Sequence, residues 1–267
     1  TKYNIISIDN YSAGSTKNHF KNKRLKYLTA HTKDIYKNLK NISKKILVLF
    51  HFGEFSRIYQ SFQQVSKCFD SNIIGTNEVL KFCKDFKIKI IYSATSASLG
   101  NNGRDQNLSP YAWSKAKNLD LIFNYSNWFG LKYEIIFFYN VYGPYQITKG
   151  KMAAVIGIFQ NCYKNNKYLP IVKPGKQKRN FTHVSDTVAT CYKAWKLNKN
   201  SCYLVCAKEK YSIIQIANFF HHKYRLIQER PGERYKSNKV DKIRGKKINL
   251  VTGTIDVKDY IKNFIIS

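Results

Sequence analysis

The sequence predicts an α/β protein built on a doubly wound parallel sheet, and two observations carry that expectation. Short apolar runs rich in β-branched and aromatic residues recur at 3–8, 46–50, 88–92 and 133–138. Longer segments with helical spacing lie between them, at 77–86 and 116–129. Strands alternating with helices imply a parallel sheet covered on both faces, with ligands bound at the carboxyl ends of the strands.

At 267 residues the chain can bury a good core, as one large domain or a domain with a smaller lobe. With 43% hydrophobic and 15% aromatic residues it is a folded rather than a disordered protein. No run of roughly 18 apolar residues occurs, so no transmembrane helix is expected. The opening Thr1-Lys2-Tyr3-Asn4 does not read as a signal peptide, and the expectation is a cytoplasmic protein without a membrane partner. Cys68, Cys83, Cys162, Cys191, Cys202 and Cys206 form no CxxC pair, which reads as buried thiols in a reducing compartment and not as a metal site. A net charge of +30 is compatible with nucleic acid, an acidic surface or anionic small ligands. The excess is mostly lysine spread along the whole length, so it reads as solvated surface and not as a nucleic-acid interface.

The run 3–8 reads as a buried strand ended by Asp9 and Asn10. A carboxylate at that place in a Rossmann-like sheet can accept hydrogen bonds from the ribose hydroxyls of a dinucleotide, and it marks the second strand. A first strand and a glycine-rich phosphate turn are therefore expected ahead of it. Among the 13 glycines there is no G-x-G-x-x-G, only Gly100 and Gly103 in an isolated loop. The expectation is a chain shortened at its amino end by about one strand-turn-helix unit.

Tyr111-Ala112-Trp113-Ser114-Lys115 follows Ser109-Pro110, a natural helix entry. On a helix, Tyr111 and Lys115 share one face a turn apart. An ammonium beside a phenol favours the phenolate, drawing tyrosine down from its usual value of about 10 and making it a general base.

The chain resembles the extended short-chain dehydrogenase/reductases, within them the NAD-dependent nucleotide-sugar epimerase/dehydratase group. Asp9-Asn10-Tyr11-Ser12-Ala13-Gly14 is similar to its D-N-x-x-x-G segment, and Phe50-His51-Phe52-Gly53-Glu54 to its H-L-A-A strand end. Asn72-Ile73-Ile74-Gly75-Thr76 is similar to N-x-x-G-T, and the stretch from Tyr92 to Gly100 to the serine/threonine-rich strand end that supplies a catalytic hydroxyl. After Tyr111 and Lys115 come Tyr139-Asn140-Val141-Tyr142-Gly143-Pro144, Gly175 to Asp186 around Arg179 and Phe181, and Arg230-Pro231-Gly232-Glu233, each close to a family motif in the family's order.

That resemblance implies NAD as cofactor, contacted by Asp9, Asn10, Phe52, Gly53, Asn72, Ser93, Tyr111, Lys115 and Tyr139. It implies Tyr111, Lys115 and Thr95 as catalytic residues. For a nucleotide sugar it implies Thr95, Asn140, Arg179, Phe181, Arg230 and Glu233, the arginines because paired guanidinium donors suit phosphate oxygens. The chain departs from the pattern at His31, which stands where an adenine-contacting acid is common and reads as a surface residue. It departs also at Phe137 in place of an arginine and at Asn180 in place of an aspartate.

Dehydratases of the group carry Thr-Asp-Glu where this chain has Thr95-Ser96-Ala97, so no acid is placed there for elimination. The resemblance therefore points to a 4-epimerase, by default on a UDP-hexose. A nucleotide-sugar-binding remnant, a dehydratase or reductase of the group, and a basic nucleic-acid-binding protein are the competing readings. The expected organisation is 1–145 for the cofactor and 146–267 for the nucleotide sugar, the latter including strand material around 168–172 and 202–206. A homodimer through 77–86 and 116–129 is also expected.

Overall fold

In the computed structural model, which describes residues 2–99, 105–232 and 242–267, the early apolar runs form β1 (Ile5–Asp9), β2 (Leu25–Thr29), β3 (Val48–His51), β4 (Lys89–Thr95) and β5 (Tyr133–Phe138). Shorter strands follow: β6 (Val141–Tyr142), β7 (Leu169–Val172), β8 (Lys178–Asn180), β9 (Thr182–His183), β10 (Cys202–Cys206), β11 (Lys210–Ser212), β12 (Tyr224–Ile227), β13 (Lys242–Ile243) and β14 (Lys246–Thr252). The helices are α1 (Ile35–Leu39), α2 (Ile58–Gln63), α3 (Val65–Phe69), α4 (Thr76–Asp85), α5 (Pro110–Phe129), α6 (Val155–Lys164), α7 (Val184–Leu197), α8 (Ile213–Phe219) and α9 (Val257–Ile266).

Strands β3, β4, β5, β10 and β14 lie parallel in that order, and β13 runs antiparallel at the edge beside β14. Side chains alternate across the sheet as its pleat requires. Ile90, Tyr92, Ile135 and Phe137 pack with Leu80 of α4 and Leu119 of α5 on one face. Ile91, Ile136 and Val205 pack with Cys191 and Ala194 of α7 on the other. Both faces are covered, so the doubly wound arrangement is the one expected.

One expectation is corrected here. The strand at 202–206, expected in the smaller lobe, is β10 and sits inside the main sheet between β5 and β14. Its residues are all buried. A strand buried on both faces reads as the same apolar run wherever it docks, so its neighbours are not written in its own sequence. A second core gathers Phe159 of α6, Ile171 of β7, Ile216 of α8 and Ile261 of α9 around Phe181. Among the described residues, strands β1 and β2 pair with each other as a separate parallel ribbon.

Helix α5 is built to hold its register. The Ser109 hydroxyl accepts the Ala112 N–H at 3.1 Å, and Pro110 occupies the first turn. At the other end Gly130 adopts a left-handed φ of 69°, where a side chain would be strained, and its N–H returns to the Ser126 carbonyl. No helix among the described residues is long and apolar enough to cross a membrane.

Candidate active site

The carboxyl ends of β3, β4 and β5 open into a cavity of about 540 Å³, and a smaller one of about 210 Å³ lies at the ends of β1 and β2. Phe52, Glu54 and Ser56 line both, so the two adjoin along the segment that leaves β3.

Tyr111, Lys115, Ser93 and Thr95 line the larger cavity together. Tyr111 is 9% exposed, and its N–H donates to Ser61 Oγ at 3.2 Å. Lys115 lies deeper, its ammonium over the Tyr92 ring at 4.3 Å and donating to the Glu54 carboxylate and to the Ser93 carbonyl. Burial holds Lys115 below the usual lysine value, and Glu54 pushes it back up. The Thr95 hydroxyl accepts the Ala97 N–H at 3.2 Å and keeps a donor for a ligand.

Glu54, to which the sequence reading gave no role, lines this cavity and carries the densest set of side-chain hydrogen bonds around Lys115. Its Oε1 accepts from Thr76 Oγ1 at 3.1 Å, Tyr92 Oη at 3.0 Å and Asn118 Nδ2 at 3.0 Å, and its Oε2 from Lys115. A buried carboxylate needs such partners, and here they come from three separate elements. The available signal was a charge in a segment expected to hold only small residues. Arg57 was also missed. It lines the larger cavity, its Nε donates to the Met152 carbonyl at 2.8 Å, and burial lowers its value from that of a free arginine, with Tyr111 opposing in part.

The same cavity is also lined by Asn140, Arg179, Phe181 and Arg230. Asn140 has φ 39°, a left-handed conformation that asparagine tolerates, and its Nδ2 donates to the Asn180 carbonyl at 2.8 Å. Arg179 is 8% exposed, and the Arg230 guanidinium lies 5.2 Å from the Tyr59 ring centre. Glu233 lies outside the described residues.

The smaller cavity holds Asp9, Asn10 and Gly53. Asp9 Oδ1 accepts the Tyr11 N–H at 2.8 Å, and Asn10 Oδ1 the Ser12 N–H at 3.0 Å. A Cβ on Gly14 would stand 3.0 Å from Asp9 Oδ2, so that glycine keeps the carboxylate clear. His31, expected at the surface, also lines this cavity and lies 3.3 Å from the Asp70 carboxylate.

Two expected cofactor residues are placed elsewhere. Asn72 lines neither cavity. Its Oδ1 accepts the Phe55 N–H at 2.7 Å, and its Nδ2 donates to the Phe55 carbonyl at 3.1 Å and to Ser114 Oγ at 3.1 Å. It ties the segment after β3 to α5, and its own carbonyl accepts from Asn118 Nδ2 at 2.6 Å. Tyr139 is fully buried in the sheet core, because its position directly after β5 turns it inward.

The family model described as the NAD-dependent epimerase/dehydratase family matches residues 1–206. The chain is 27% identical over 281 residues to a putative UDP-glucose 4-epimerase of Methanocaldococcus jannaschii, covering 98% of this chain and 91% of that one. It is 31% identical over 173 residues to the dTDP-D-glucose 4,6-dehydratase of Dictyostelium discoideum, covering 57% of this chain but only 39% of that protein. Its fold is shared with the solved UDP-N-acetylglucosamine 4-epimerase of Methanobrevibacter ruminantium M1, at a TM-score of 0.80 and 21% identity over 98% of this chain and 88% of that one.

Proposed function

Because the chain belongs to the NAD-dependent epimerase/dehydratase family, we propose that it is a nucleotide-sugar 4-epimerase, acting on a UDP-hexose with Tyr111 as base. The observation that carries this reading is the meeting of Tyr111, Thr95, Arg179 and Arg230 around one cavity at the carboxyl ends of the parallel strands. The 4-epimerase names among the relatives support the same reaction.

The residues present fit the cofactor of the family. At one end Asp9 offers a carboxylate kept clear by Gly14, suited to ribose hydroxyls. At the other, Ser93, Tyr111 and Lys115 border the larger cavity, and Phe52 with Gly53 joins the two ends. Bound there, NAD supplies the acceptor and donor of hydride. Tyr111 takes the proton from the sugar hydroxyl and returns it when the opposite face has been reduced. The Thr95 hydroxyl donates to the same sugar oxygen and fixes its direction. Arg179 and Arg230 hold the diphosphate, and Asn140 with Phe181 borders the sugar. The division of labour we propose is cofactor on residues 1–145 and nucleotide sugar on 146–267.

Elimination of water, the dehydratase reaction, needs a further acid beside the hydroxyl residue. Ser96 and Ala97 stand next to Thr95, and the carboxylate of Glu54 is engaged by Lys115. That favours reversible oxidation over dehydration. Purified protein supplied with NAD and UDP-glucose is expected to form UDP-galactose, and Tyr111→Phe to lose about 10²–10⁴-fold in turnover with its circular dichroism unchanged. Turnover by Tyr111→Phe at the parent rate would remove Tyr111 as base.

A further inference from the structure

Among the described residues, the charged side chains that line the larger cavity are Glu54, Lys115, Arg57, Arg179 and Arg230. Glu54 and Lys115 are joined as an ion pair and contribute one charge of each sign. The guanidinium groups make up the rest. A diphosphate between nucleoside and sugar carries a negative charge on each phosphorus, which Arg179 and Arg230 match. Arg57 is left over, and its hydrogen bonds do not neutralise it. Its Nε donates to the Met152 carbonyl at 2.8 Å, and Nη1 to the Ser56 carbonyl at 2.9 Å and to Ser56 Oγ at 3.3 Å. Those acceptors are uncharged, and Nη2 keeps its N–H groups for a ligand. A guanidinium partly withdrawn from water and bonded to neutral acceptors is a receptor for an anion, because a charged partner offsets the desolvation of a cation far better than carbonyls do.

The local packing says which part of a ligand Arg57 meets. It lies directly ahead of α2, and its carbonyl accepts the Ser61 N–H at 3.2 Å. Ser61 Oγ in turn accepts the Tyr111 N–H at 3.2 Å. Phe55 and Ile58, on either side of Arg57, pack against Ala97, Tyr111 and Ala112. The segment that carries Arg57 is therefore built onto the start of α5 and the turn that follows Thr95. Arg179 comes instead from β8, two residues before Phe181 of the second core. We propose that the sugar of the substrate is a hexuronate, a hexose whose sixth carbon is a carboxylate, and that Arg57 selects it. C6 hangs from the ring carbon next to C4, so a carboxylate there lies beside the carbon that is epimerised, on the Tyr111 side of the cavity. The guanidinium fork offers that carboxylate charge and paired donors, whereas the primary alcohol of a hexose answers neither. The inference rests on the proposed function in one respect, that a nucleotide sugar occupies this cavity. It changes the sugar at C6 and leaves the nucleotide, the ring and the reaction as they stand.

Calorimetric titration of the full chain, supplied with NAD, by UDP, UDP-glucose and UDP-glucuronate tests this, since the two sugars differ only at C6. UDP-glucuronate is expected to bind about 10–100-fold more tightly than UDP-glucose, the usual worth of a hydrogen bond to a charged group. In Arg57→Gln the ratio of the two affinities is expected to fall to about one. Equal affinities in the parent, or tighter binding of UDP-glucose, overturn the inference and leave the nucleotide-sugar reading standing. An unchanged ratio in Arg57→Gln overturns the role of Arg57, because a ligand of the diphosphate would weaken both sugars alike. Failure of UDP and of both sugars to bind overturns the proposed function and the inference together. The comparison in the parent needs no variant, so it decides the substrate class even if Arg57→Gln fails to fold.

Discussion

Among the described residues, two buried lysine–glutamate pairs lie toward opposite ends of the same strands. Lys89 opens β4 and Glu134 lies near the start of β5, joined at 2.7 Å. Lys115 and Glu54 meet near the other end, at the Ser93 carbonyl. The pairs are alike in chemistry and in burial, and they differ in who else holds the carboxylate. Glu134 accepts the backbone N–H groups of Lys199, Asn200 and Ser201 at 2.7–3.1 Å, tying the loop before β10 to β5. Glu54 is held by side chains alone and borders a cavity. Burial of an ion pair therefore says nothing by itself about function. A pair whose partners are backbone amides is a staple, whereas one built from side chains beside open space is part of a site.

The largest effect expected from breaking this comparison is at the staple. Glu134→Ala strands Lys89 in the interior and frees three backbone donors, so it should cost about 3–5 kcal/mol. Chemical denaturation would measure it. A loss below about 1 kcal/mol would mean that the loop rests on other contacts. Glu54→Gln should cost less, because a carboxamide oxygen can still accept from Thr76, Tyr92 and Asn118.

A pH titration sharpens the site side. His51, joined to Thr76 at 2.8 Å, is held by burial at about 4, below the ordinary histidine value near 6.5. Below pH 6.5 the unfolded chain takes up a proton that the folded chain refuses until about pH 4. Stability from this group is therefore full above 6.5 and lost as pH falls through that interval, by a total of about 3 kcal/mol. His51→Gln should flatten that part of the stability profile. An unchanged slope in the variant would assign it to other groups.

The two sides were unequally legible in the sequence. The strands at 46–50, 88–92 and 133–138 and the α5 entry at Ser109-Pro110 are local patterns, and the structure has strands and a helix there. The placement of β10 was not legible, because the register of a fully buried strand is set by neighbours far away in the chain. Glu54 was hidden for the same reason: its donors Thr76, Tyr92, Lys115 and Asn118 lie 22 to 64 residues further on. Asn72 was legible as a special residue, but its hydrogen-bond partners were not. A motif position fixes a side chain's identity, while only the fold shows that both ends of its amide are taken up by the Phe55 backbone.

The smallest expected effect lies at the start of α5, and it separates the two pairs most cleanly. Ser109 is 4% exposed, and its hydroxyl accepts one of the amide N–H groups that an α-helix leaves without an internal acceptor at its first turn. Ser109→Ala should cost about 1 kcal/mol. Two residues further on stands Tyr111 and one turn beyond it Lys115, so fraying of this turn loosens the site pair first. The staple lies at the far end of β4 and is untouched. Native-state hydrogen exchange in Ser109→Ala should therefore speed at the amides of 112–116 while those of Lys199 to Ser201 keep the parent protection. Equal acceleration at both places would mean that the two ends of the sheet open together, and that the contrast between staple and site is one of chemistry but not of local stability.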